Sequence, residues 1–317
     1  MKNRVKIISI ISFLVSAIVL ISGCTSENKV KNGTTIVCTI FPIYDWCCEI
    51  TKDCEDVNVI LLEDNGTDMH SYQPAVKDFA NIEDCDVFIF VGGESEEWAV
   101  DYINEHPSDA RRNICLMDEI ADYVLVETDE GIIATEDEES DEEENDEHIW
   151  LSLKRSIMCV YIIGDSLKDK TVDSDKIAAN TADYVGRLSE LDKEYEDYFA
   201  SNERKIIVAD RFPFRYLTED YSVDYLAALP GCSAEADTSF DMVISLADGY
   251  KQSNENTLYI TESGNKEFAD TVIGESGKDG VVKTLDSVQS VSKDKIQSGV
   301  SYYELMKQNL ETLKGNN

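Results

Sequence analysis

The chain is 317 residues long, room for about two domains of ordinary size. Hydrophobic residues make up 43% of it, enough to build cores and to exclude a chain disordered throughout. Asp and Glu number 64 against 28 Lys and Arg, a formal net charge of −36, and a field of that sign repels phosphate backbones and attracts cations, which argues against nucleic-acid binding.

In chain order, Lys2, Arg4 and Lys6 make a basic start, and residues 7–21 are apolar apart from Ser9, Ser12 and Ser16. That run is shorter than the ~20 residues a bilayer span needs. It ends in Ile21-Ser22-Gly23-Cys24, the small-residue pattern of a bacterial lipobox. Residues 1–23 therefore read as a lipoprotein signal peptide, with Cys24 the acceptor of a diacylglyceryl group and the polar stretch 24–35 a tether. The expected location is the extracytoplasmic face of a bacterial cytoplasmic membrane, held there by lipid.

Apolar, Val- and Ile-rich runs at 35–41, 57–62, 84–91 and 114–117 predict four strands, separated by helical segments. Residues 136–147 then hold ten acidic residues in twelve, a density that predicts a solvated loop. A helical stretch follows through 167. Residues 174–200 carry apolar residues at helical spacing (Ile177, Ala178, Val185, Leu188, Leu191, Tyr195, Phe199) with acids on the other face, predicting one helix of unusual length. A second set of strands is predicted at 205–209, 223–229, 257–261 and 281–285, and a closing helix at 302–313. The expected fold is α/β: an N-terminal lobe over 36–172 and a C-terminal lobe over 202–317, each with a mainly parallel sheet, joined by the helix 173–201. The cleft between the lobes is the expected ligand site.

Eight cysteines remain besides Cys24, with no C-x-x-C pair. Cys38, Cys85 and Cys159 lie in or beside apolar runs and read as small core residues. Cys47 or Cys48 with Cys54 is a conceivable bridge that the sequence leaves open.

Only three histidines exist. His70, in Asp68-Met69-His70-Ser71-Tyr72-Gln73-Pro74, follows a strand by a short loop, where α/β folds place ligand sites. Neutral imidazole there suits zinc, manganese or iron. His148 ends the acid run in Asp146-Glu147-His148-Ile149-Trp150-Leu151-Ser152. His106, before Pro107 and among polar residues, reads as a surface turn. Nothing matches a nucleophile elbow, a phosphate-cradling Gly-rich loop or an H-E-x-x-H helix.

Together the lipobox, TIFPIYDW, the D-x-H-S-Y-Q-P loop, the acid-rich insert ending in D-E-H-I-W-L-S and the terminal Y-Y-E-L-M-K-Q-N-L resemble the solute-binding lipoproteins of zinc and manganese ABC transporters, the cluster A-I or adhesin-lipoprotein family. The resemblance runs from about residue 35 to the C-terminus. It implies two α/β lobes on a rigid helix, with one divalent metal held between them as cargo: Zn²⁺, with Mn²⁺ the alternative. It implies a membrane permease and its ATPase subunit as partners, a monomer, and binding rather than catalysis. An adhesin that has lost metal binding and, more remotely, a secreted metal-dependent hydrolase are the alternatives. Carried over by position, His70 and His148 match the first-lobe ligands and Asp286 the late aspartate. The position of the second-lobe ligand falls on Arg211, which has no lone pair to give a cation. Two arrangements follow: Arg211 pairs with an acid while Asp210 or Glu262 supplies an oxygen, or Arg211 points inward and holds Asp286 or Glu262. The all-acid insert is expected to gather cations weakly.

Overall fold

The computed structural model describes residues 33–133, 144–232 and 239–315. The signal peptide, Cys24, most of the tether and the acid run up to residue 143 lie outside the described residues. Two four-stranded, all-parallel sheets are present, as the two-lobe α/β reading requires. The first, in the order β2-β1-β3-β4, is built from β1 (Thr34–Cys38), β2 (Val57–Leu61), β3 (Val87–Phe90) and β4 (Arg112–Cys115). The second, β6-β5-β7-β8, is built from β5 (Lys205–Phe212), β6 (Asp224–Pro230), β7 (Thr257–Ile260) and β8 (Val281–Thr284).

Two helices shorten the strands that the apolar runs suggested. β3 starts three residues late because Asp84 belongs to the preceding helix, α2 (Val76–Asp84), and β4 ends at Cys115 because Leu116 opens a helical turn. β5 runs three residues further than its apolar stretch, through an irregularity between Val208 and Arg211 that carries Arg211 into the strand's carboxyl end.

Strand alternation sorts the side chains into three apolar clusters. Ile36, Cys38, Val87 and Ile89 face inward, as do Ile206 and Val208 of the other sheet, and all belong to one cluster shared by both lobes. Val37, Phe88 and Phe90 point to the outer face of the first sheet, Ile207 and Ala209 to that of the second, each with a smaller cluster of its own.

The shared cluster is organised by the long helix α5 (Ser174–Ser201), 28 residues and about 42 Å at the usual rise per residue. Its buried stripe Ile177, Thr181, Tyr184, Val185, Leu188, Leu191, Tyr195 and Phe199 recurs every three or four residues. It packs on α1 (Phe41–Ile50) and α4 (Leu153–Leu167) of the first lobe and on α6 (Arg215–Tyr221) of the second. The closing helix α9 (Tyr302–Leu313) returns to the first lobe. Its Tyr302 N–H donates to Asp45 at 2.9 Å, the Tyr302 ring stands edge-on to Trp46, and its hydroxyl donates to the Trp150 carbonyl at 2.6 Å. Residues from Gly33 onward form one compact unit.

Cys38, Cys85 and Cys159 are buried as expected. All eight cysteines from Cys38 to Cys232 are free thiols; Cys47 faces Cys38, 3.7 Å away, rather than Cys54. Among the described residues no helix is long and apolar enough to cross a membrane.

Candidate metal centre

His70 lies on a single 3-10 turn, Met69–Ser71, just past the carboxyl end of β2. Buried Met69 anchors the turn, and Asp68 caps it, its Oδ1 accepting the His70 N–H at 3.1 Å. His148 is built the same way. Asp146, also two residues upstream, accepts the His148 N–H at 2.8 Å, and the next three residues, Ile149, Trp150 and Leu151, are buried. Far from lying in solvent beside an acid run, His148 is fully buried, and the His70 side chain is 3% exposed.

The two rings meet at their Nε2 atoms, 3.2 Å apart. Each Nδ1 is engaged behind: His148 Nδ1 lies 3.0 Å from Asp146 Oδ1, so it carries the proton and donates. His70 Nδ1 lies 2.7 Å from Ser95 Oγ and 3.6 Å from Glu147 Oε2. Glu147 is fixed in turn, accepting the Ser95 N–H at 2.7 Å. It has room only because residue 93 is glycine, with φ +84°: a Cβ there would sit 2.4 Å from Glu147 Oε1. His148 Nε2 thus carries a lone pair facing His70 Nε2, and when Nδ1 of His70 also carries its proton, donating to Ser95 Oγ, two Nε2 lone pairs face one another. Two nitrogens bound ~2.05 Å from one tetrahedral zinc lie roughly 3.3 Å apart. The observed separation is that of a chelating pair.

The electrostatics differ between the rings. Burial, then His148 and Arg211 nearby, pull the His70 pKa down to about 4. Burial opposes charge on His148 too, but the Asp146 hydrogen bond and the carboxylates Asp146, Glu147 and Glu127 outweigh it and hold its pKa above the usual value. Burial raises Glu147.

A third donor reaches the same point. Cys232 Sγ and the two imidazoles have ligand atoms all within 4.8 Å of one another. Cys232 follows the carboxyl end of β6, and Gly231 brings the chain close: a Cβ on it would stand 2.8 Å from the Phe212 carbonyl and 3.2 Å from His148 Cε1. Burial and the carboxylates Glu127, Asp146 and Glu147 push the Cys232 thiol well up. His70, Ser95, Glu147 and Cys232 line an open cavity of about 680 Å³. Sequence reading passed over Cys232 because it stands in no motif; its place after a predicted parallel strand was the available signal.

The second-lobe carboxylates named from the sequence hold contacts within their own lobe. Asp210 accepts the Arg211 N–H at 2.9 Å and, through its other oxygen, the Thr261 N–H and hydroxyl at 3.1 and 2.5 Å. Glu262 accepts the Ser287 N–H and hydroxyl at 2.8 and 2.6 Å, and Asp286 Oδ1 accepts the Val288 N–H at 2.8 Å. Burial, then the neighbouring Asp286 charge, raises Glu262; burial raises Asp286. Among the described residues, the donor cluster at the imidazoles is completed by Cys232 and includes none of these three. Arg211 pairs with an acid, but with one of the first lobe: its Nη2 lies 2.7 Å from Asp68 Oδ2. His106 is exposed at the end of α3 (Glu97–Glu105), stacked on Tyr102.

Two parallel sheets share one core along a single long helix, and a buried imidazole pair lies beside Cys232, which follows the carboxyl end of β6. The chain belongs to the family described as zinc-uptake complex component A, periplasmic (ZnuA), whose profile matches residues 36–316. That family serves metal transport as a solute-binding component. The chain is similar to the zinc-binding lipoprotein AdcA of Streptococcus pneumoniae (strain ATCC BAA-255 / R6), 28% identical over 314 residues, covering 98% of this chain and 60% of AdcA. It thus spans about 60% of the length of that relative. It is 26% identical over 321 residues to the high-affinity zinc uptake system protein ZnuA of Bacillus subtilis (strain 168), covering 95% of each. The crystal structure of the Zn(II)-bound ZnuA-like domain of Streptococcus pneumoniae AdcA matches with a TM-score of 0.72 at 26% identity, over 90% of this chain and 98% of that one.

Proposed function

We propose that this protein captures a divalent transition metal, zinc in preference to manganese, as the solute-binding component of an ABC importer, and delivers it to the membrane permease that the ATPase subunit drives. The carrying observation is the pair of Nε2 atoms 3.2 Å apart, each ring oriented from behind by Asp146 or Ser95. Relatives named for zinc binding and zinc uptake support the choice of metal. His70 and His148 are the proposed ligands. Glu262, Asp286 and Asp210 add negative charge to the second lobe, and Arg211 serves by tying Asp68 in place. The role is carriage, not catalysis. The chain acts as a monomer, anchored through lipid on Cys24 on the outer face of the membrane.

Equilibrium dialysis of the purified protein followed by elemental analysis tests the reading. One equivalent of zinc is expected, and binding to the native state alone adds ~2.7 kcal/mol of stability at a hundred times the dissociation constant. His70→Ala should lose most of that gain. A stoichiometry near zero for every first-row metal, or an unchanged melting shift in His70→Ala, would overturn it.

A further inference from the structure

Resting on that metal-capture reading, we infer that the second lobe's donor is the thiolate of Cys232, so that the cargo is held by two imidazole nitrogens and one sulfur. Three observations converge. One nitrogen of each imidazole and Cys232 Sγ already lie within 4.8 Å of one another, while a tetrahedral zinc with sulfur at ~2.3 Å and nitrogen at ~2.05 Å sets S···N at roughly 3.6 Å. The remaining approach is at most about 1 Å. Gly231 stands beside His148, so the chain bearing Cys232 runs close to the ring. The carboxylates that would otherwise supply oxygen, those of Asp210, Glu262 and Asp286, are each turned to backbone N–H groups or hydroxyls of their own lobe. Arg211, at the position where the resemblance calls for a ligand, is spent on Asp68.

Coordination breaks the S–H bond and forms the metal–sulfur bond. The proton passes to solvent in the open cavity that Cys232 lines. A soft sulfur donor selects zinc over manganese, which prefers carboxylate and water oxygens. The preference therefore lies in the ligand itself.

The full-length protein, metal-free, reduced and held in detergent, is titrated with Co²⁺ and read by its thiolate-to-cobalt charge-transfer absorption, then with zinc against a chelator. The wild type should take one equivalent of Co²⁺ with that band. Cys232→Ser should keep the metal-free melting temperature and lose the band. Its zinc affinity should fall more than about a hundredfold, beyond the ~10–100-fold that loss of an outer-shell partner costs. Its manganese affinity should change far less. A wild type that binds one equivalent without the band, or a Cys232→Ser variant that binds zinc as tightly, overturns the thiolate ligand and leaves the metal-capture reading standing. A wild type that binds neither ion sinks that reading itself. Should Cys232→Ser fail to fold, the wild type decides alone: one bound equivalent of Co²⁺ without the thiolate charge-transfer band overturns the inference.

Discussion

Asp68 and Asp146 stand in the same relation to the two histidines. Each is a carboxylate two residues upstream whose oxygen takes the histidine's backbone N–H, and Asp146 takes the ring N–H as well. The D-x-H spacing was plain in the sequence, but what it does was not, because a local hydrogen bond leaves no periodic trace. His70 could be singled out from its place after a strand. His148 stands at the end of an acid run, which predicts solvent, yet its ring packs near Trp150, whose indole N–H donates to the Ser287 carbonyl far along the chain. The Asp146 contact has a consequence for pH. Protons compete with metal for His148 Nε2, and the ring's pKa is held above 6.5, so acidification should weaken zinc binding from near neutrality, whereas His70, at about 4, interferes only in acid. Asp146→Asn removes the charge that raises His148, and the acid loss of zinc affinity should then begin at lower pH. Affinity at neutral pH should fall about 10–100-fold. Chelator competition across pH measures both, and an unmoved acid limb would show that Asp146 does not set the ring's charge.

At the scale of elements, the two long amphipathic helices were legible nearly to the residue, and the strands in place and order but with ends off by up to three residues. The stripe of α5 gave its length, and α9 was read with the bounds it has. β5 was misjudged at its end, because an irregular strand continuing through Asp210 and Arg211 has polar residues where the pattern expects none. That extension brings Arg211 to Asp68, the residue that shapes the His70 turn. The pair is largely but not fully withdrawn from water, 18% and 16% exposed. Arg211→Gln should therefore cost on the order of 1 kcal/mol, the upper range for ion pairs still open to solvent. It also removes a positive charge that depresses His70, so the His70 pKa should rise, and zinc should bind at least as well at neutral pH. Urea unfolding and a histidine NMR titration read the two effects. A drop in zinc affinity without a loss of stability would mean that Arg211 acts on the cargo by another route.

For the whole molecule, a charge of −36 makes capture of a dication a long-range event, and association with zinc should slow as salt screens the field. Stability carries its own pH signature. Asp45 is buried beneath α9, and burial raises its pKa from 3.8 to about 7 although the Tyr302 N–H bond lowers it. A carboxyl raised on folding favours the native state when protonated. Its contribution is full below about 4 and is lost as pH rises through about 7. Melting temperature should fall across that interval in the wild type and fall less in Asp45→Asn, whose amide oxygen can still accept from Tyr302. Equal slopes in the two proteins would assign the effect to other groups. The long helix bears on timing. Residues 174–201 hold no proline and a single glycine, Gly186, so swinging the lobes apart would mean bending a rod without a weak point. For the proposed cargo, the dwell time would then be set by the donors rather than by a hinge, and unloading would be a ligand exchange, in which a receiving protein offers its own donor atoms before the last one here lets go.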